Sequence, residues 1–188
     1  MLSKWLAGFF PSKIPDELVA IDLETSSLDP RAARILSIGA VRIAKRRVLI
    51  GEALHYHILT RAEDVHETAV IHGIRGIDVE QGLPIKEALN ALREFIGERP
   101  LLGYHHSFDR RVLNLALQRN ALPELNNPAI ELAALYQRHW QKRHPITPPN
   151  LAFEQICAQF NIEPIGRHTA LGDAATTALC YLALTHQP

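Results

Sequence analysis

Two acids separated by one residue, Asp22-Leu23-Glu24, close a short apolar run at residues 18–23 (LVAIDL). A strand alternates its faces, so Asp22 and Glu24 point the same way while Leu23 points into the core. Side by side at the end of a buried strand, two carboxylates repel each other unless a divalent cation sits between them. Hard oxygen ligands suit magnesium or manganese. A second acid, Asp109 in Ser107-Phe108-Asp109, follows the apolar LLGY at 101–104 and opens a helix. If that preceding strand lies beside the first, Asp109 aims at the same spot. The third group is Arg167-His168-Thr169-Ala170-Leu171-Gly172-Asp173-Ala174. It puts His168 at the entry to the last helix and Asp173 one turn inside. An imidazole titrating near neutral pH can accept a proton from water, and a neighbouring acid can hold the metal that makes that water acidic. Asp173 sits amid Leu171, Ala175, Ala178 and Leu182, close to an apolar side where helices rarely place an acid without a partner. Read singly, each group has a plainer meaning: a solvated strand end, a helix-start acid favoured by the dipole, a surface helix turn.

The elements that would position these residues follow from the hydrophobic period. Residues 18–23, 35–43 and 48–59 are strand-like and suggest an antiparallel meander. The period then changes. Ile85, Leu89, Leu92 and Ile96 share one face of a helix over 85–96, which Pro100 ends. A fourth strand is expected at 101–104, a helix at 108–119, and a fifth short strand at 129–132 running into a helix through Trp140. The three prolines of residues 144–150 predict a connector or flap, and two helices near 151–160 and 169–185 close the chain. Strands first, then alternating helices and strands, predict an α/β domain with a mixed five-stranded sheet, three antiparallel strands followed by parallel ones, flanked by helices.

The 188 residues suit one domain over residues 16–188, with residues 1–15 an N-terminal extension. Lys plus Arg and Asp plus Glu both number 20, which argues against a general basic coat while leaving room for a local groove. Cys157 and Cys180 lack CxxC spacing and read as buried reduced thiols, in keeping with a cytoplasmic protein. No apolar run has the length of a membrane span. Among the ten histidines no pair has zinc-site spacing, and His55 and His57 share one strand face.

Taken in order, these residues resemble the DEDDh, or DnaQ-like, family of 3′→5′ exonucleases. IDLETSSLDP resembles the family's first motif, GYHHSFDRRVLN the second and RHTALGDAATT the third, while AVIHGIRGIDVEQGLP resembles its connecting segment. The resemblance spans roughly residues 18–182. It implies an RNase H-like fold in which Asp22, Glu24, Asp109 and Asp173 hold two divalent ions, Mg2+ or Mn2+, with His168 as general base and not a ligand. It further implies hydrolysis of the terminal phosphodiester of single-stranded DNA or RNA, releasing nucleoside 5′-monophosphates. Thr25, Ser26 and Leu28 would hold the terminal nucleotide, with Leu28 an apolar wedge. Phe108 would reach the base or anchor its helix in the core, and Arg110, Arg111 and Arg167 could meet phosphates.

Three positions depart from the family pattern. Ser26-Ser27 replaces a common Thr-Gly, Tyr104-His105-His106 replaces a His-Asn, and Glu131-Leu132 stands for a secondary Asp-Thr. Losing the glycine restricts backbone approach to substrate. None of the three touches the five catalytic candidates. The alternatives left open are an oligoribonuclease or RNA trimmer, a dinucleotide phosphodiesterase, and a non-catalytic module docked to a polymerase. The expected partners are a nucleic acid with a free 3′ end, a DNA polymerase or a second copy of the chain.

Overall fold

A computed structural model describes residues 15–65 and 68–186. The extension expected over residues 1–15 lies, apart from Pro15, outside the described residues. Strand β1 (Glu17–Thr25) runs through the sheet and pairs antiparallel with β2 (Ile35–Ala44) along nearly its whole length. The far edge of β2 carries two short antiparallel strands, β3 (Arg47–Val48) and β4 (Leu54–His57). The other edge of β1 pairs in parallel with β5 (Leu101–Gly103), and β5 pairs in parallel with β6 (Ala129–Glu131).

The expected mixed sheet is present with six strands among the described residues, one more than the sequence suggested. The run expected as one strand at 48–59 divides around a single 3-10 turn at Ile50–Glu52. Gly51 lies in that turn, and a glycine within a strand pattern weakens the ladder where it stands. Both halves still pair with β2, so the meander holds. Two short helices, α1 (Ala69–His72) and α2 (Gly76–Glu80), occupy the segment after β4, where periodicity predicted nothing. Helices of four and five residues are too short to show a period of 3.6.

The longer helices are α3 (Ile85–Ile96), α4 (His106–Arg119), α5 (Leu132–Arg143), α6 (Phe153–Gln159) and α7 (Ala170–Thr185). They cover the sheet on both sides. Val19, Ile21 and Leu23 pack with Leu89, Leu92 and Ile96 of α3 and with Val112, Leu113 and Leu117 of α4. Leu18 and Ala20, on the opposite face, pack with Tyr136, Phe153 and Ile156 and with Ala174, Ala178 and Tyr181 of α7. By alternation Asp22 and Glu24 continue the α7 face. Covering on both faces explains why β1 reads as a continuous apolar run up to its first acid. Residues 144–150 form no regular element, and Thr147 accepts a 2.8 Å hydrogen bond from the indole of Trp140. Among the described residues no helix is long and apolar enough to cross a membrane.

Candidate active site

Three carboxylates meet at the C-terminal end of β1. One oxygen each from Asp22, Glu24 and Asp173 lies within 4.8 Å of the others. Asp109 is buried beside them at 6% exposure, with the backbone N–H of Leu23 donating to its carboxyl.

Backbone contact brings Asp173 to this place. Asp22 stands opposite Gly39 in the β1–β2 register. A Cβ on Gly39 would lie 2.2 Å from the carbonyl carbon of Ala170 and 2.2 Å from the nitrogen of Leu171. The first turn of α7 therefore rests directly on β2, next to Asp22. The chain entering that turn is equally close, since a Cβ on Gly172 would lie 2.1 Å from the Ile165 carbonyl oxygen. Thr169 caps the helix by accepting the Gly172 N–H at 3.2 Å. His168, in the left-handed region at φ 62°, donates its own N–H to Asp173 Oδ2 at 3.3 Å. The histidine thus sits just before the helix and the acid one turn inside, as the sequence predicted.

Asp109 arrives by the parallel strands. At Gly103 a Cβ would stand 2.5 Å from that of His106, so α4 begins immediately above β5. Glu131, at the end of β6, accepts the backbone N–H groups of His105 at 2.9 Å, His106 at 3.0 Å and Ala133 at 3.3 Å. One carboxylate therefore satisfies otherwise orphaned donors at the starts of both α4 and α5. Burial alone would raise the Glu131 carboxyl, but the hydrogen bonds from His106 and His105 carry it below its ordinary value.

The cluster itself behaves in the opposite way. Burial drives Asp22 and Asp109 well above the usual carboxylate range. The charges of Asp109, Glu24 and Asp173 add to this at Asp22, and those of Glu24 and Glu131 at Asp109. Glu24 is pushed up to about 8, first by burial and then by Asp173. Asp173 is raised by burial against the opposing pull of Arg167. At an effective dielectric of about 20, two carboxylates 4.8 Å apart repel by about 3.5 kcal/mol. Three such groups gathered within 4.8 Å, with Asp109 coupled to them by charge, hold their protons or gather cations. All the converging donors are hard oxygens, and Asp173 Oδ1 is buried with no hydrogen-bond partner. These residues fit a divalent cation that takes oxygen ligands.

The other sequence candidates are placed less uniformly. Thr25 is buried, and its hydroxyl donates to the Ser27 carbonyl at 3.0 Å. Ser26 Oγ accepts the Arg34 N–H at 3.0 Å, so both hydroxyls serve their own loop. Leu28 is 76% exposed, whereas Phe108, in the first turn of α4, packs against the core cluster that holds Leu89, Val112 and Leu113. Arg110 reaches the Leu125 carbonyl at 3.4 Å, and Arg167 pairs with both Asp173 and Glu154.

Sequence reasoning did not single out Gly39, nor the relay that supports the end of β1. In that relay the Ile74 N–H donates to His72 Nδ1 at 3.0 Å, leaving Nε2 to donate to Thr68 Oγ1 at 2.8 Å. Thr68 in turn donates to the Thr25 carbonyl at 2.7 Å. A glycine interrupting an otherwise apolar β-rich run was the one available signal for Gly39. His72 and Thr68 carried none, because their partners are set by a segment without periodicity.

Comparison with known proteins bears on the same span. The family model described as Exonuclease, RNase_T, matches residues 19–181. The DNA polymerase III subunit epsilon of Rickettsia felis is 32% identical over 175 residues, covering 89% of this chain and 73% of that protein. The PolC-type DNA polymerase III of Halalkalibacterium halodurans is 29% identical over 169 residues, 87% of this chain but 11% of the polymerase. The crystal structure of E. coli exonuclease I in complex with a dT13 oligonucleotide matches with a TM-score of 0.78 at 17% identity, covering 92% of this chain and 41% of that one. The chain thus spans about a tenth of the PolC-type polymerase and about two-fifths of exonuclease I.

Proposed function

The chain belongs to the exonuclease family, and we propose that residues 16–188 form one 3′→5′ exonuclease domain hydrolysing the terminal phosphodiester of single-stranded DNA to nucleoside 5′-monophosphates. The observation that carries this reading is the convergence of Asp22, Glu24 and Asp173 within 4.8 Å, with Asp109 buried alongside. In this reading the four carboxylates hold two divalent ions, Mg2+ or Mn2+. Such ions supply Lewis-acid stabilisation of the attacking and leaving oxygens. The imidazole of His168 takes the proton of the attacking water, a role typically worth ~10²–10⁴ in rate. Leu28, exposed at the rim, stacks against the last base, and unpaired ends are the least costly to present there. Thr25 and Ser26 shape the pocket through the loop backbone that their hydroxyls brace. Phe108 anchors the helix that carries Asp109. A polymerase partner is in keeping with relatives named as polymerase subunits, and a cytoplasmic setting with two buried, unbridged thiols.

The decisive assay digests end-labelled single-stranded DNA, RNA and a dinucleotide in parallel, with Mg2+ or with excess chelator. Release of 5′-mononucleotides from DNA with a free 3′ end, lost on chelation or on blocking that end, is the expected result. Cleavage of a circular strand would show an endonuclease, and undiminished cleavage in chelator would remove the metal reading. Preference for RNA or the dinucleotide would reassign the substrate.

A further inference from the structure

We propose that Arg167 is an exchangeable counter-ion, holding Asp173 and His168 in the metal-free protein and yielding Asp173 when a divalent ion binds. This rests on reading the carboxylate cluster as a divalent-ion site. The guanidinium has two sets of partners. On the inner side, Nη1 forms an ion pair with Asp173 Oδ2 and lies 3.4 Å from His168 Nδ1. On the outer side, Nε donates to Glu154 Oε1 at 2.9 Å, and the guanidinium carbon stands 4.8 Å from the centre of the Phe153 ring. Both outer partners belong to α6 and neither belongs to the cluster.

The inner contacts are the ones a metal ion must compete for. Asp173 supplies one of the three oxygens that lie within 4.8 Å of one another. Its Oδ1 is buried without a partner while Oδ2 is taken by Arg167, so the guanidinium satisfies only half of the carboxylate. A single positive charge at the edge of these three acids neutralises them incompletely. A divalent ion at their centre meets more of them at shorter range. The side chain of Arg167 is 30% exposed, which gives it room to withdraw, and the ion pair with Glu154 and the aromatic face of Phe153 keep it at the rim when it does. The same withdrawal frees His168 Nδ1 from the arginine. One residue thereby links filling of the metal site to release of the imidazole.

The test is calorimetric titration of Mn2+ into the wild type, Arg167→Gln and Arg167→Lys, with thermal melts of each in chelator and in saturating Mn2+. Arg167→Gln should bind Mn2+ roughly five- to tenfold more tightly, as expected for removing a partly exposed charge-assisted competitor. Its metal-free form should melt below the wild type, and saturating Mn2+ should close most of that gap. Arg167→Lys, which keeps the charge but loses the two-pronged geometry, should fall between them and still reports if the glutamine variant fails to fold. Equal or weaker Mn2+ binding by the variants, with the wild type binding normally, would make Arg167 a support for Asp173 and overturn the exchange. An unchanged metal-free melting temperature would likewise overturn it. A wild type that binds no Mn2+ would instead refute the divalent-ion site, and the exchange with it.

Discussion

Replacing Gly39 with alanine places one methyl group between β2 and the first turn of α7. The new Cβ would stand 2.2 Å from both the Ala170 carbonyl carbon and the Leu171 nitrogen, and 2.4 Å from the Ala170 oxygen. These are backbone atoms inside a capped helix turn, so no side-chain rotation relieves the clash. To regain a contact near 3.4 Å, the start of α7 must withdraw by about 1.2 Å. Asp173 lies in that turn and His168 directly before it, so both leave the cluster together while Asp22 and Glu24 stay on β1. A displacement of about 1 Å in a catalytic group costs roughly 10²-fold in rate. The overpacking itself should cost about 1–3 kcal/mol, which for a chain of this size lowers the melting temperature by roughly 2–12 °C. The assay is single-turnover digestion of a labelled oligonucleotide at saturating Mg2+, paired with thermal melts. Gly51→Ala is the control, because a Cβ there meets nothing within 4 Å, and it should match the wild type in both measurements. A Gly39→Ala protein with wild-type rate and melting temperature would refute the seating of α7 on β2 as what assembles the site.

His168→Ala should lower the single-turnover rate by ~10²–10⁴ with metal affinity largely kept, whereas Asp109→Ala should weaken both; equal loss of metal in the two would make His168 a ligand. In chelator, stability should fall as pH rises from the ordinary glutamate value towards about 8. The folded protein keeps a proton on Glu24 that the unfolded chain has already released, so the stability present at low pH is progressively lost. Saturating Mg2+ should reverse that slope, and melts at pH 5, 7 and 8.5 with and without metal would show a flat or rising metal-free trend if the acids do not converge. His72→Ala removes the donor to Thr68 and loosens the Thr25 carbonyl, which should raise KM more than it lowers kcat; a change confined to kcat would count against a role in shaping the pocket. Glu131→Ala orphans three backbone donors and should cost about 2–4 kcal/mol in a denaturant melt, with the Asp109-dependent rate falling alongside; stability within 0.5 kcal/mol of wild type would contradict the shared cap.

Residues near in sequence settled much of this protein by themselves. The two-residue period of β1 puts Asp22 and Glu24 on one face whatever surrounds it, and the spacing of Ile85, Leu89, Leu92 and Ile96 makes a helix with one apolar side. The offset from His168 to Asp173 likewise places the pair around the start of α7 through a capped turn written into Thr169. These are local rules, enforced by backbone geometry within a few bonds. Longer-range features were not legible. The break at Gly51 and the short helices α1 and α2 depend on what the chain packs against, because segments of so few residues show no period of their own. Only tertiary structure decided that Gly39 lies beneath Ala170, that Glu131 caps two helices, and that Arg167 is shared between Asp173 and Glu154. Each of these joins residues on different elements, and such distances are set by how close two backbones can come once the core between them is filled.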